Sequence, residues 1–139
     1  MLALAKKKSV NIKSLLGLAV APDFTKTLVW DTLSAQKKEE VIFNNRFSLS
    51  EDLEISYKFI KDGESNLVLN SPIQFKGSVY LYHGMKDIEV PYKISEEVLN
   101  KINLSNDVKL VLEKYGEHRL SKDNEINTIK LLLNQILAN

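Results

Sequence analysis

Two blocks near the C-terminal end of the chain each place an ionisable residue in a turn after an apolar strand. One strand, 78–82, leads to Asp87, and the other, 108–112, leads to His118. The 31 positions between Asp87 and His118 leave room for one helix and one strand, and adjacent parallel strands present their carboxyl ends side by side. A carboxylate there can orient an imidazole and stabilise its charged form, and a histidine is the expected general base near neutral pH. The sequence therefore predicts an acid and a base at one edge of a sheet.

Each member of this pair has a plainer alternative. Taken alone, Asp87 is most simply interpreted as a turn residue whose side chain accepts hydrogen bonds from its own backbone. The presence of His118 downstream favours the catalytic interpretation instead. Asp23, in Ala21-Pro22-Asp23-Phe24, also ends a strand and is a reserve candidate for the acid, although helix capping is its simpler role. Trp30 and Phe24 are expected to help pack residues 24–70 on the core, with lining of an acyl pocket as the alternative.

His83, the second of the two histidines, follows an apolar strand and stands beside Gly84. A histidine in this position more often bonds a local backbone carbonyl than performs catalysis. Two histidines with Asp87 could suggest a metal, but positions 83 and 118 have neither helical nor hairpin spacing for a ligand pair. We therefore predict no metal site and no cofactor.

The search for a nucleophile fails. Gly63-Glu64-Ser65 begins like the G-x-S-x-G elbow of a serine hydrolase, but position 67 is Leu where Gly is needed. The segment also has a helical, amphipathic pattern without a buried strand before it, so Ser65 is rejected. No residue of the chain is a candidate nucleophile.

The elements that must position Asp87 and His118 follow from hydrophobic periodicity. Strands are predicted at 14–20, 78–82 and 108–112, with helices at 94–102 and 124–137. Strand, helix, strand, helix is the pattern of right-handed parallel crossovers. The closing helix is predicted to bury a stripe made of Ile126, Ile129, Leu133 and Ile136. The fold class is therefore α/β, with about three parallel strands and flanking helices.

Residues 24–70 interrupt this pattern and are predicted to form a helical cap or lid. Thr25 or Asp23 is expected to cap a first helix, and Ser34 to precede a second. A third helix is predicted from Leu53 to Leu69, with a short extended piece at 46–50 before it. The organisation is then a partial core formed by 1–23 and 71–139, with the cap inserted between them.

Composition limits the classes of function. The 139 residues are 44% hydrophobic, and 19 basic against 18 acidic residues give a charge of +1, so no global field attracts nucleic acid or an anionic membrane. The basic run Lys6-Lys7-Lys8 is read as a helix end. The absence of cysteine excludes disulfides, a thiol nucleophile and thiolate metal sites. No segment is long enough to span a membrane, and a cytoplasmic location is expected.

Several blocks of the sequence match those of a known family. They are residues 17–25 with Leu28 and Trp30, then 71–73, His83-Gly84-Met85-Lys86-Asp87 with Val90-Pro91, and Glu117-His118-Arg119. On these residues the sequence resembles bacterial α/β hydrolases of the serine esterase and thioesterase type over essentially its whole length. It is most similar to the group that includes a mitochondrial palmitoyl-protein thioesterase, which also acts as an acyl-glucuronide esterase.

The resemblance implies the C-terminal portion of an α/β-hydrolase fold, with Asp87 and His118 as acid and base of the triad and the nucleophile elbow immediately before Met1. We therefore expect the C-terminal part of a hydrolase for carboxylic esters or thioesters, inactive alone because the nucleophile is absent. Its expected partner is a small ester or thioester. The alternative is a non-catalytic remnant or interaction domain. In either case the edge of the strand at 15–20 is expected to self-associate or to pair with a complementary fragment.

Overall fold

A computed structural model describes residue 2 and residues 11–50 and 53–138 of the chain. These residues fall into two compact units, one made of Met1–Pro22 with Val68–Asn139 and the other of Asp23–Leu67. The basic run at 6–8 and most of the predicted N-terminal helix end lie outside the described residues. In chain order the described elements are β1 (Ser14–Leu18), a π-helix (Thr25–Val29), a 3₁₀ turn (Trp30–Thr32), α1 (Ala35–Asn44), β2 (Arg46–Ser50), β3 (Leu53–Ser56), α2 (Tyr57–Ser65), β4 (Ile73–Gln74), β5 (Ser78–Gly84), α3 (Lys93–Lys101), β6 (Ile102–Asn103), β7 (Val108–Glu113) and α4 (Asp123–Leu137).

The first unit is built on a parallel sheet with the strand order β1-β5-β7. β5 is the central strand, which pairs with β1 from Ser14 opposite Ser78 and with β7 from Val79 opposite Val108. Its residues from Val79 to Gly84 are all buried, as a strand covered on both faces requires. The three predicted parallel strands are thus confirmed. β1 ends two residues earlier than predicted and β5 continues two residues further, through His83 and Gly84.

Helices flank this sheet, and alternate residues of β5 face two separate apolar clusters. One cluster contains Val79 and Leu81 with Leu15 of β1 and Val98 of α3. The other contains Tyr80 and Tyr82 with residues of α4. A short parallel pair, β4 with β6, completes the unit.

The buried stripe of α4 differs from the prediction. Leu132 and Ile136 are buried and Ile129 packs beside them, whereas Ile126 and Leu133 are exposed. Glu125 is buried at the start of the helix, where its carboxylate accepts a hydrogen bond from the backbone N–H of Lys122. The helix is therefore rotated relative to the predicted face, because this cap holds an acidic side chain inside.

The second unit contains an antiparallel hairpin as well as helices. Ser34 caps α1 as predicted, since its hydroxyl accepts from the N–H of Lys37, and the extended piece at 46–50 is confirmed as β2. The helix predicted from 53 to 69 is wrong at both ends, because residues 53–56 are extended and α2 ends at Ser65. Residues 53–56 form β3, which pairs with β2, and α2 begins only after Ser56, whose hydroxyl accepts from the N–H of Phe59.

The start of the second unit also differs from the prediction. The cap position of the π-helix is occupied by Phe24 without a side-chain bond, and neither Thr25 nor Asp23 fills it. Asp23 has a positive φ of 61°, and its carbonyl accepts from the N–H groups of Lys26 and Thr27. Thr25 instead lies buried against Gly63, where an added Cβ would approach its hydroxyl to 2.0 Å.

Among the described residues, no helix is both long and apolar enough to cross a membrane.

Candidate active site

Asp87 lies in the turn that follows β5, and its carboxylate is fully buried. One oxygen, Oδ1, accepts hydrogen bonds from the backbone N–H groups of Glu89 and Val90, at 2.9 and 2.8 Å. The other, Oδ2, lies 2.8 Å from Nδ1 of His118 and 3.1 Å from Nε2 of His83. Burying a charged carboxylate without hydrogen-bond partners costs free energy, and these contacts offset that cost.

These contacts determine the protonation state of the carboxyl group. Burial alone would raise the pKa of Asp87, but the hydrogen bond from Val90, the bond and positive charge of His118 and the bond from Glu89 act in the opposite direction, so the pKa is lowered below its usual 3.8. Asp87 is therefore ionised at neutral pH, as an acid that orients an imidazole must be.

His118 lies in the turn after β7, and its ring is partly open to solvent, with 34% of the side chain exposed. Because Nδ1 faces an ionised carboxylate, the neutral ring carries its proton on Nδ1 and a lone pair on Nε2. His118 lines an open depression of about 370 Å³, together with Lys86, Ile88, Glu89, Glu117 and Arg119. The imidazole thus has the geometry of a general base.

Glu89 lies on the open side of the ring. Its carboxylate oxygen is 3.7 Å from Nε2 of His118, and 64% of its side chain is exposed. The two groups form an ion pair only when the imidazole is protonated, and an ion pair this exposed contributes little to stability. Glu89 therefore leaves Nε2 available to another group.

Backbone contacts hold the two turns together. The N–H of Met85 donates to the carbonyl of Glu113, and the N–H of Lys86 donates to the carbonyl of Gly116. The five glycines of the chain all lie within the described residues, and none has a positive φ. Glycine is required here for close approach, because the backbones of Gly84 and Gly116 are in direct contact.

His83 is fully buried and forms more contacts than the sequence predicted. The expected bond to a local carbonyl is present, at 2.9 Å from Nε2 to the oxygen of Val90. Sequence reasoning missed two others, from Nε2 to Asp87 and from Nδ1 to the hydroxyl of Ser95, at 2.6 Å. The only signal in the sequence was the spacing of four residues between His83 and Asp87.

The structure places Ser65 and Trp30 in the second unit, as parts of its helical framework. Ser65 ends α2, and its hydroxyl donates to the carbonyl of Lys61. Trp30 packs against Tyr57 at 5.5 Å between ring centroids. Phe24 lies 6.1 Å from Phe59. These contacts give the residues structural roles within the unit.

The part of the chain that the structure describes holds no group of three or more histidine, cysteine, aspartate or glutamate side chains arranged for a metal ion.

Comparison with known proteins identifies relatives of this chain. It is 32% identical to the palmitoyl-protein thioesterase ABHD10, mitochondrial, of Pongo abelii and 31% identical to that of Homo sapiens, each over 143 residues that include 99% of this chain and 46% of the relative. The chain thus spans about half the length of the curated relatives it matches. No family model matches the sequence.

Solved structures agree on the fold. The chain superposes on α/β hydrolase domain-containing protein 10 from mouse with a TM-score of 0.87 at 29% identity, covering 99% of this chain and 57% of that one. A putative hydrolase from Agrobacterium vitis S4 gives a TM-score of 0.85 at 26% identity, with 97% and 54% coverage. The resemblance to α/β hydrolases inferred from sequence is confirmed, and the chain has the fold of the C-terminal portion of such a hydrolase.

Proposed function

We propose that this chain is the C-terminal part of a serine hydrolase that acts on carboxylic ester or thioester bonds, with Asp87 as the acid and His118 as the base of its triad. One observation carries the proposal. Nδ1 of His118 lies 2.8 Å from the buried carboxylate of Asp87, while the same imidazole is partly exposed and lines an open depression.

In the proposed reaction Nε2 of His118 takes the proton of a serine hydroxyl as the serine oxygen bonds to the acyl carbon of the substrate. The imidazolium formed is stabilised by the ionised Asp87. The same proton then passes to the leaving alcohol or thiol as the carbon–oxygen or carbon–sulfur bond breaks. A water molecule, deprotonated by His118, releases the acid and restores the serine.

We further propose that the serine belongs to a segment or polypeptide outside these 139 residues. The sequence contains no G-x-S-x-G elbow, and Ser65 stands at a helix end with its hydroxyl bonded to a carbonyl. The 139 residues alone are therefore proposed to be inactive. Asp23 remains a reserve, but the bond between Asp87 and His118 favours Asp87 as the acid.

The substrate class rests on the relatives. The matched proteins of Pongo abelii and Homo sapiens are named palmitoyl-protein thioesterases, which supports an ester or thioester of a small molecule or acyl group as substrate. Neither a cofactor nor a metal takes part in this mechanism. The cap role of residues 24–70 and the cytoplasmic location stay predictions, and the relatives are named mitochondrial.

A second candidate function is a non-catalytic interaction domain. One observation favours it: within the described residues, β1 pairs with β5 on one side only. An unpaired strand edge can bind another strand, so residues 15–20 are proposed to pair with a second copy or with a complementary fragment. This edge also suits the first proposal, since the fragment could be the one that holds the serine.

Labelling with a fluorophosphonate probe separates the two candidates. The isolated chain should remain unlabelled, whereas the chain joined to the coding sequence upstream of Met1 should be labelled at one serine of the added segment. Labelling within the 139 residues would contradict the missing nucleophile. An extended protein that folds but takes no label would favour the interaction domain.

A further inference from the structure

His83, Ser95 and Asp87 form a second chain of buried contacts beside the proposed acid–base pair. His83 and Ser95 have no measurable exposure, so neither can reach a substrate. The chain runs from the hydroxyl of Ser95 to Nδ1 of His83, and from Nε2 of His83 to Oδ2 of Asp87. It ends on the oxygen that also accepts from His118.

The surroundings of His83 determine which of its nitrogens carries the proton. Nε2 faces two acceptors, the carboxylate of Asp87 at 3.1 Å and the carbonyl of Val90 at 2.9 Å. An N–H at Nε2 satisfies both, whereas a lone pair there would leave the buried contacts repulsive. Nδ1 is then an acceptor, and the only partner within reach among the described contacts is the hydroxyl of Ser95.

Resting on the function proposed above, we propose that His83, kept in the Nε2–H tautomer by its two acceptors and fixed in orientation by Ser95 at Nδ1, is a positioning residue for the triad. It fixes the carboxylate of Asp87 in the orientation that faces His118. The backbone N–H groups of Glu89 and Val90 fix Oδ1, and the bond from His83 fixes Oδ2. Two anchored oxygens prevent rotation of the carboxylate, so His118 keeps its proton on Nδ1 and its lone pair toward the open side.

This role differs from that of an ordinary buried histidine. If His83 only closed the turn, its bond to the carbonyl of Val90 would be enough. Loss of the Ser95 hydroxyl would then leave the tautomer of His118 unchanged. A positioning residue transmits a change at Ser95 across His83 and Asp87 to the imidazole of His118. The state of that second ring is therefore the diagnostic readout.

Nitrogen-15 NMR of the imidazole rings in the folded chain can read both states directly, because the sequence has only two histidines. In the wild type we expect His83 as the Nε2–H tautomer and the neutral form of His118 as the Nδ1–H tautomer. In Ser95→Ala we expect His83 to keep the Nε2–H tautomer, because Asp87 and Val90 still face Nε2, but to show a shifted Nδ1 signal since that nitrogen loses the Ser95 hydroxyl. The ring is then no longer fixed, and we expect the Nδ1–H signal of His118 to be lost to solvent exchange. His83→Phe, which fills the same space without hydrogen bonds, should cause the same loss.

Val98→Ala is the matched control. Val98 is also fully buried and lies on the same helix as Ser95, but it belongs to an apolar cluster. Its truncation should lower stability and leave both imidazole spectra unchanged. Backbone amide spectra show whether each variant is folded, and Ser95→Ala, the smaller change, remains informative if His83→Phe does not fold.

The inference would be overturned by an Nδ1–H tautomer of His83 in the wild type, or by an unchanged His118 signal in a folded Ser95→Ala chain. These spectra report the coupling of the two rings without any turnover. A chain that shows the coupling but belongs to no active hydrolase would therefore contradict the proposed function alone.

Discussion

The backbones of Gly84 and Gly116 touch where β5 and β7 run into the turns of Asp87 and His118. A Cβ added to Gly84 would lie 2.3 Å from the carbonyl carbon and oxygen of Gly116, closer than real Cβ atoms come to such atoms. Neither turn can shift without moving the other, which explains how an acid and a base 31 residues apart hold a direct hydrogen bond.

Gly84→Ala should therefore separate the two turns. Because the obstructing atoms belong to the backbone, which cannot rotate away, we expect a loss of about 1–3 kcal/mol in the free energy of unfolding and a weaker bond between Asp87 and His118. Gly116→Ala provides the comparison. Its Cβ would meet the side chain of Glu113 and Cα of Gly84, each at 2.9 Å. Denaturant titration should show the smaller loss for Gly116→Ala, and an equal or reversed order would contradict the contact.

Asp87→Asn should change the tautomer of His118. If the amide oxygen keeps the N–H groups of Glu89 and Val90, its NH₂ group faces Nδ1 of His118 and donates to it. The imidazole proton then moves to Nε2, which removes the lone pair from the open side. Nitrogen-15 NMR should show Nε2–H in the variant, and an unchanged Nδ1–H tautomer in a folded variant would contradict the proposed orientation.

The lowered pKa of Asp87 predicts a pH dependence of stability. A group whose pKa is lower in the folded state stabilises the fold above its unfolded pKa, and this contribution is lost as the pH falls through the folded value. Asp87→Asn should cost about 1–3 kcal/mol near neutral pH. The difference from wild type should shrink below pH 3.8, the usual value for this group. Denaturation at a series of pH values measures it, and a constant difference into the acid range would argue against an ionised, bonded Asp87.

One edge of β1 has no partner strand within the described part of the chain, and this edge predicts self-association of the isolated chain. Leu18, at the end of this strand, is 43% exposed, and a charge placed there should oppose pairing with another strand. Sedimentation at micromolar concentration should show oligomers for the wild type and a monomer for Leu18→Lys. Leu137→Lys, at a residue 75% exposed on α4, is the control and should remain associated. A monomeric wild type would contradict pairing through the strand edge at residues 15–20.

The sequence was sufficient to predict the sheet and the contact between Asp87 and His118. A short continuous apolar run bounded by turn residues favours a covered strand, and Asp87 and His118 each follow such a run, so parallel topology brings their turns to one edge. The contact between them is confirmed by the distance of 2.8 Å, while their catalytic role stays a proposal.

Other features depend on tertiary contacts that periodicity does not encode. Residues 53–56 satisfy a helical pattern but pair with β2, because a partner strand is present. The buried face of α4 includes Glu125, an acidic residue that a hydrophobic pattern predicts to be exposed. Ser95 lies 12 residues after His83 and contacts it because α3 packs on the sheet. No local sequence motif could therefore reveal this contact.

Hydrolysis by the chain joined to its upstream coding sequence tests the central claim most directly. We would measure kcat for a short acyl ester and an acyl thioester in the wild type, His118→Ala and Tyr115→Phe, a control in the same turn at a residue 67% exposed. The account predicts turnover by the wild type and the control, and loss of kcat in His118→Ala with the fold intact. Wild-type turnover that persists undiminished in His118→Ala would contradict the assignment of His118 as the base.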